Sequence, residues 1–248
     1  MSSVAELVRT SDVIITMLPN GHVVRSALTD GGEDALASRL APGSVIIDMS
    51  SSEPVGTKEL GALLADRGLV LIDAPVSGGV VRASSGELAI MYGSDDPAVV
   101  ASVLPLLKTM GSRLFDTGGL GCGHAMKALN NYMAAAAFAA TSEALSIGAK
   151  FGLDQATMTD ILNVSTGRNF HTEMVIKDHV VGGKYSSGFA VGLLAKDVKI
   201  AAGLGRSVAE DAPLLELMEQ RWDQARDTLG ATHDCTEAHL AWTGAARS

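Results

Sequence analysis

Three short apolar runs constrain this chain more than any other feature. "DVIITMLP" (Asp12 to Pro19), "GSVIIDMSS" (Gly43 to Ser51) and "GLVLIDAPVSGG" (Gly68 to Gly79) are rich in β-branched residues and stop at Pro, Asn, Ser or Gly. Their cores lack the in-and-out alternation of a half-exposed strand, so both faces must be covered. That demand is met by a parallel sheet with helical crossovers. Helical patterns separate the runs, at Val23 to Arg39, where "TDGGEDAL" interrupts, and at Val55 to Arg67. "ELAIMYG" (Glu87 to Gly93) and "SRLFDTG" (Ser112 to Gly118) add two strands around a helix from Pro97 to Met110.

After Gly118 the strand signals stop. One long helix is expected from about Leu120 to Lys150, ended by Phe151-Gly152. Further helices follow at Asp154 to Asn163, Thr172 to Asp178, Gly192 to Gly203, Pro213 to Leu229 and Asp234 to Ala241. The expected architecture is α/β: an incomplete Rossmann-type parallel sheet domain over residues 1–118, then an all-helical domain over 119–248 entered by the long helix.

A formal charge of −9 with no cluster of Lys and Arg argues against nucleic acid as a partner. The longest charge-free apolar run, Ala128 to Ser142, is shorter than the ~20 residues of a bilayer span, and no signal-like segment opens the sequence. A cytoplasmic protein with no membrane partner is the expectation. Cys122 and Cys235 give neither a disulfide framework nor a metal-ligand spacing. The group His233, Asp234, Cys235, Glu237 and His239 fits no standard zinc pattern, so no metal is expected; His22, His124, His171 and His179 are scattered and receive no role.

Chemistry concentrates at four places. "DAPVSGG" (Asp73 to Gly79) ends a strand where open α/β sheets bind ligands, and Ser77, Gly78 and Gly79 offer a hydroxyl and unobstructed N–H groups to an anion. A plain glycine turn is the competing reading. In "GLGCGHAMKALNNYM" (Gly119 to Met133), Lys127 and Asn131 lie four apart on one helical face behind Gly121 and Gly123, with Asn130 beside them. A lysine desolvated by neighbouring alanines can pass a proton to or from an oxygen, although a solvated surface lysine is the plainer reading of Lys127 by itself. In "GFAVGLLAKDVKIA", Lys196 and Asp197 interrupt an apolar helix, where a buried cation needs a partner or a ligand. "TMLPN" (Thr16 to Asn20) and "DMSSSEP" (Asp48 to Pro54) end two strands at the same sheet edge, as cofactor-lining loops or as simple turns.

Taken in order, "MLPN", "IDMSS", "DAPVSGG", "GLGCGHAMKALNN" and "LLAKD" closely resemble the β-hydroxyacid dehydrogenase family, which includes 3-hydroxyisobutyrate dehydrogenase and tartronate semialdehyde reductase. The resemblance implies reversible hydride transfer between NAD or NADP and a short hydroxyacid, at a cleft between the two domains. It makes Lys127 the catalytic lysine and Asn131 the residue that orients the substrate. Ser77, Gly78 and Gly79 become the substrate-carboxylate site. Leu18, Pro19, Asn20, Ser51, Gly121 and Lys196 fall at cofactor-lining positions, and "STGRNF" (Ser165 to Phe170) falls among the substrate-side loops. Members of the family are usually homodimers or homotetramers.

One element of that pattern is not found. No G-x-G-x-x-G precedes the first helix, and the approximation at Gly119 to Gly123 follows the last strand rather than the first. The sequence therefore lacks the family's N-terminal glycine-rich βαβ unit. A non-catalytic oligomerisation partner or truncated pseudoenzyme that keeps the acid-binding pocket is the alternative, and a sugar-acid binding module is a third reading.

Overall fold

Each of the first three apolar runs condenses into four extended residues: β1 (Val13–Thr16), β2 (Val45–Asp48) and β3 (Val70–Asp73). The structure, a computed structural model, describes Glu6, Val8 and residues 10–244. The outermost stretches of the two expected domains, 1–5 and 245–248, lie outside the described residues. The chain forms two compact units, Met1–Ala128 and Leu129–Ser248.

In the first unit β1, β2 and β3 pair in parallel and in that order, with Ile14, Ile46 and Leu71 side by side. Successive residues of β2 point to opposite faces, as strand geometry requires. Ile46 joins Ile14, Val24, Leu28, Leu60 and Leu64 under helices α1 (Gly21–Thr29) and α3 (Pro54–Ala65). Val45 and Ile47 join Ile72, Ile90, Val103 and Leu107 under α5 (Pro97–Met110). Both faces of β2 and β3 are covered, which is why these two strands carry no polar alternation, whereas the outer strand β1 departs from the expectation and leaves Ile15 40% exposed. Each fully buried Ile or Leu contributes about 1.5–3 kcal/mol through the area it withdraws from water. The first helical pattern is broken where expected: Gly31 and Gly32 both have positive φ, and only the four residues of α2 (Leu36–Arg39) follow the 3₁₀ turn there.

The sheet departs from the all-parallel expectation after β3. The chain passes Pro75 into β4 (Val76–Ser77), which pairs antiparallel with β5 (Ala89–Tyr92). Only β6 (Arg113–Asp116) then runs parallel to β5. The link between β4 and β5 holds just the six-residue helix α4 (Gly79–Ser84), too short for a crossover, which takes a dozen or more residues. Asp73 and Gly93 exchange backbone hydrogen bonds of 3.1 and 2.8 Å, which fasten β3 to the end of β5.

The long helix α6 (Cys122–Phe151) has 30 residues and spans about 45 Å. The second unit continues with α7 (Gln155–Asn163), α8 (Phe170–Met174), α9 (Val191–Ser207), α10 (Pro213–Leu229) and α11 (Ala238–Thr243). The helix expected from Thr172 to Asp178 is split. At Val175 the backbone leaves helical geometry and resumes as a π-helical turn, Ile176–Val181, whose wider winding buries Ile176 and Val180. Trp222, Phe138 and His171 pack at the centre of this unit, with ring centroids 5.9 Å apart for Phe138–Trp222 and 5.4 Å for Phe138–His171. Among the described residues no helix is long and apolar enough to cross a membrane.

Candidate active site

Asp73 closes an apolar strand with an acid, and its side chain is fully buried. A carboxylate in that position must find donors or pay the whole desolvation cost. It finds them at the start of α6: Oδ1 accepts the Gly121 N–H at 2.7 Å, and Oδ2 accepts the His124 N–H at 2.7 Å. These N–H groups belong to the first helical turn, which has no intrahelical acceptors, so Asp73 caps α6 from another strand. Burial still pushes its carboxyl above the usual carboxylate range, against the opposing effects of His124 and of the backbone donors. The fit demands glycine. A Cβ on Gly123 would run into the Met91 carbonyl and stand 2.8 Å from Asp73 Oδ2.

The His124 ring is buried in the same place. Nδ1 lies 2.8 Å from Thr57 Oγ1 of α3 and 3.9 Å from Asp73 Oδ2, and Nε2 lies 3.6 Å from Asp48 Oδ2 at the end of β2. Asp48 is itself held. Its Oδ1 accepts from the Thr16 hydroxyl at 2.9 Å and the Ser50 N–H at 3.0 Å, and Oδ2 accepts from the Ser52 hydroxyl at 2.8 Å. The ends of β1, β2 and β3 and the start of α6 therefore share one buried polar cluster.

The strand-end residues singled out from the sequence sit around it. Leu18 N–H donates to Ser50 Oγ at 2.9 Å, and the Asn20 side chain accepts from Val23 N–H at 2.9 Å, which caps α1. Pro19 is exposed and Ser51 half-buried. These loops of small polar residues follow the carboxyl ends of three parallel strands, the place where open α/β sheets take a dinucleotide. The residues present fit such a group there. Ser77 ends β4, and Gly78 and Gly79, with φ of 139° and 63°, turn the chain into α4. Among the described residues, no hydrogen bond occupies the Ser77 hydroxyl or the Gly78 and Gly79 N–H groups. Gly121, also at positive φ, is buried, and Lys127 is half-buried on the second turn of α6.

In the second unit, Asn131 on α6 is 8% exposed, and its Nδ2 donates to Asp197 Oδ2 at 2.6 Å. Its Oδ1 accepts from Asn130 at 3.1 Å, which fixes the amide's orientation and leaves one N–H to spare. Lys196 Nζ lies 3.0 Å from Asp197 Oδ1. Neighbours in sequence do not share a helix face, yet the buried Asp197 carboxylate joins Lys196 to Asn131. It answers the question that a cation in an apolar helix poses.

The sequence reading gave His124 no role and passed over Asp48 and Asp73 as chemistry; the structure makes them one cluster. It also left His171 aside. That ring is buried, with Phe138 on one side and Phe170 with its centroid 5.6 Å away on the other, and burial lowers it to about 4. The C-terminal His, Cys and acid group does local work instead: Asp234 accepts from Thr236 and Gly188 N–H, and His233 pairs with Glu237 at 3.1 Å. Among the described residues no group of three or more such side chains could hold a metal ion.

Comparison with known proteins bears on both halves. Residues 1–119 match the family model for the NAD binding domain of 6-phosphogluconate dehydrogenase, and residues 121–241 match the model for NAD-binding of NADP-dependent 3-hydroxyisobutyrate dehydrogenase. 2-(Hydroxymethyl)glutarate dehydrogenase of Eubacterium barkeri is 34% identical over 216 residues, which cover 87% of this chain and 71% of that protein. 3-Hydroxyisobutyrate dehydrogenase of Pseudomonas aeruginosa is 34% identical over 210 residues, 82% of this chain and 70% of the relative. Among solved structures, Mycobacterium tuberculosis 3-hydroxyisobutyrate dehydrogenase with L-serine superposes with a TM-score of 0.87 at 28% identity, over 98% of this chain and 83% of that one.

Proposed function

This chain belongs to the β-hydroxyacid dehydrogenase family and is an NAD(P)-dependent oxidoreductase; from that premise we propose that it interconverts a short β-hydroxyacid and the corresponding semialdehyde or oxo acid. Lys127 is the general acid in reduction and the general base in oxidation. The Ser77–Gly78–Gly79 turn holds the substrate carboxylate through a hydroxyl and two N–H groups. Asn131, its amide fixed by Asp197, gives its spare N–H to the substrate. Leu18, Pro19, Asn20, Ser51, Gly121 and Lys196 line the cofactor.

When bound, NAD(P) supplies the hydride acceptor for oxidation and the donor for reduction. The chain's own task is to orient and to move one proton. In oxidation the substrate hydroxyl loses its proton to the neutral amine of Lys127, which then releases it to solvent; reduction reverses both steps. Fixing the carboxylate turns a two-body encounter into a near-attack geometry, an effect worth several kcal/mol, and proton transfer adds a factor of roughly 10²–10⁴.

The observation that carries this reading is the Ser77–Gly79 turn. Its donors have no acceptor among the described residues, and it lies four residues after Asp73, which holds the start of the helix bearing Lys127. The test is a spectrophotometric screen of short 3-hydroxy acids against NAD⁺ and NADP⁺, with Lys127→Ala alongside. Turnover should fall by roughly a factor of 10² or more in the variant. Unchanged turnover would remove Lys127 from the mechanism.

A further inference from the structure

Asp73 and His124 take no part in the chemistry just described, yet several buried contacts converge on them. We infer that they are positioning residues, which together clamp the first turn of α6 and so set the point from which Lys127 reaches the substrate. The inference rests on the role proposed above for Lys127.

Two contacts fix how far along its axis the helix begins. Each Asp73 oxygen takes one N–H of the opening turn, and the absence of a side chain on Gly123 lets that turn sit against Asp73 and the Met91 carbonyl. Rotation about the axis is fixed by the His124 ring. It is lodged between Thr57 from α3, Asp48 from β2 and Asp73 from β3, and these two carboxylates are the charged groups that face it among the described residues. Thr57 Oγ1 also lies 3.0 Å from the Glu53 carbonyl. A threonine hydroxyl has one hydrogen, so with that hydrogen given to Glu53 the His124 Nδ1–H donates to Thr57.

Lys127 follows His124 by three residues, about 4.5 Å along the axis and about 60° around it, so any slip or roll at His124 reaches the amine undiminished. The same carboxylate is tied to the other side of the reaction, since the chain runs from Asp73, the last residue of β3, to Ser77 at the end of β4 in four residues. One buried acid thus sets the proton donor and the carboxylate turn in a common frame. Proton transfer needs heavy atoms within about 2.6–3.2 Å, and a misplacement of about 1 Å costs on the order of 10²-fold.

A role in stability alone would move only the melting transition. The discriminating experiment compares His124→Ala, His124→Gln and Thr57→Val with the unmodified chain. The readouts are kcat, KM for the nicotinamide, the solvent deuterium isotope effect on kcat, and the rate at which Lys127 is acylated, followed by mass spectrometry with the exposed Lys150 of the same helix as internal control. His124→Ala should lower kcat by roughly 10- to 100-fold with KM for the nicotinamide little changed, and raise the isotope effect as proton transfer becomes limiting. His124→Gln, whose amide can still donate to Thr57, should recover most of that loss. Thr57→Val is nearly isosteric and leaves the Asp73 contacts intact. It should reproduce a smaller part of the defect even where His124→Ala does not fold. In every folded variant with lowered kcat, the acylation rate of Lys127 relative to Lys150 should change at least about threefold.

Variants that melt earlier but keep both kcat and the Lys127 acylation rate would overturn the clamp, as would a glutamine no better than alanine. If the unmodified chain turns over no hydroxyacid, the proposed function fails by itself. The acylation rates then still decide whether His124 and Thr57 control the placement of Lys127.

Discussion

Acidification should unfold the second unit through His171. Its ring is 8% exposed, between Phe138 and Phe170, and burial lowers its proton affinity from the ordinary 6.5 to about 4, with the Ala134 carbonyl opposing only in part. The folded unit therefore holds this ring neutral, whereas the unfolded chain takes up a proton as soon as the pH falls through about 6.5. Between these two values the unfolded state binds more protons, so stability is full above about pH 6.5, declines toward pH 4 and levels off below it. Each tenfold difference in proton affinity is worth about 1.4 kcal/mol, which makes the loss about 3 kcal/mol over the window. His239, also lowered by burial, acts in the same direction. The buried Asp73 acts in the opposite one, because a carboxyl raised in the folded state gains a proton there first as pH falls. It belongs to the first unit, however, and both tryptophans, Trp222 and Trp242, belong to the second. Urea titrations followed by Trp emission at several pH values thus read the relevant unit. His171→Phe keeps a ring against Phe138 and removes the titration. It should match the unmodified chain within about 1.5 kcal/mol near pH 8 and exceed it by about 2 kcal/mol more near pH 5. Two curves that fall in parallel across that interval would refute the argument.

Other perturbations follow from the same contacts. Asp197→Ala removes the carboxylate that orients the Asn131 amide and pairs with Lys196. It should destabilise the second unit by about 3 kcal/mol in the same urea assay and lower kcat/KM by at least tenfold, whereas a kcat/KM within twofold of the parent would separate Asn131 from the substrate. Gly123→Ala places a methyl against the Met91 carbonyl and Asp73, and should cost about 3 kcal/mol in a denaturant titration of the first unit followed by amide hydrogen exchange at Gly121 and His124. Gly79→Ala meets no atom within 4 Å and carries only the penalty of its positive φ, so it should cost roughly 1 kcal/mol, clearly less than Gly123→Ala.

The parallel core was legible because β2 and β3 are buried on both faces, and such burial leaves a continuous apolar run in the sequence; β1 carries the same kind of run although Ile15 is 40% exposed. The break between α1 and α2 was legible as well, since it falls at Gly31 and Gly32, two consecutive glycines that both take positive φ. The antiparallel return of β5 was not. It depends on how few residues separate β4 from β5, and α4 is too short to leave a periodic signal of its own. At the candidate site, Lys127 and Asn131 could be grouped because four residues bring two side chains to one helix face. Asp73 and His124 meet across 51 positions, and only tertiary pairing brings them together. A trace was nonetheless present. "VIID" and "VLID" each close a buried strand with an acid, and an ionisable group that ends an apolar run has to be met by donors from elsewhere in the fold.

That trace bears on why the carboxylates are where they are. Burying an acid is expensive, and for Asp73 the expense is not fully recovered, because burial raises its carboxyl despite two backbone donors and a nearby histidine. A neutral cap such as serine or asparagine would satisfy one N–H of α6 without that penalty. Asp73 instead satisfies two, with its oxygens fixed relative to each other by the planar carboxylate, and it constrains both the height and the tilt of the helix that a single acceptor would leave free to rock. Asp197 follows the same logic in the second unit, where one planar group serves Lys196 on one oxygen and Asn131 on the other. In the first unit the buried acid bridges the Gly121 and His124 N–H groups just ahead of Lys127 in the chain, and in the second it bridges Lys196 and Asn131. At both points a buried acid holds two groups in a fixed relation, which is the geometry the proposed chemistry requires.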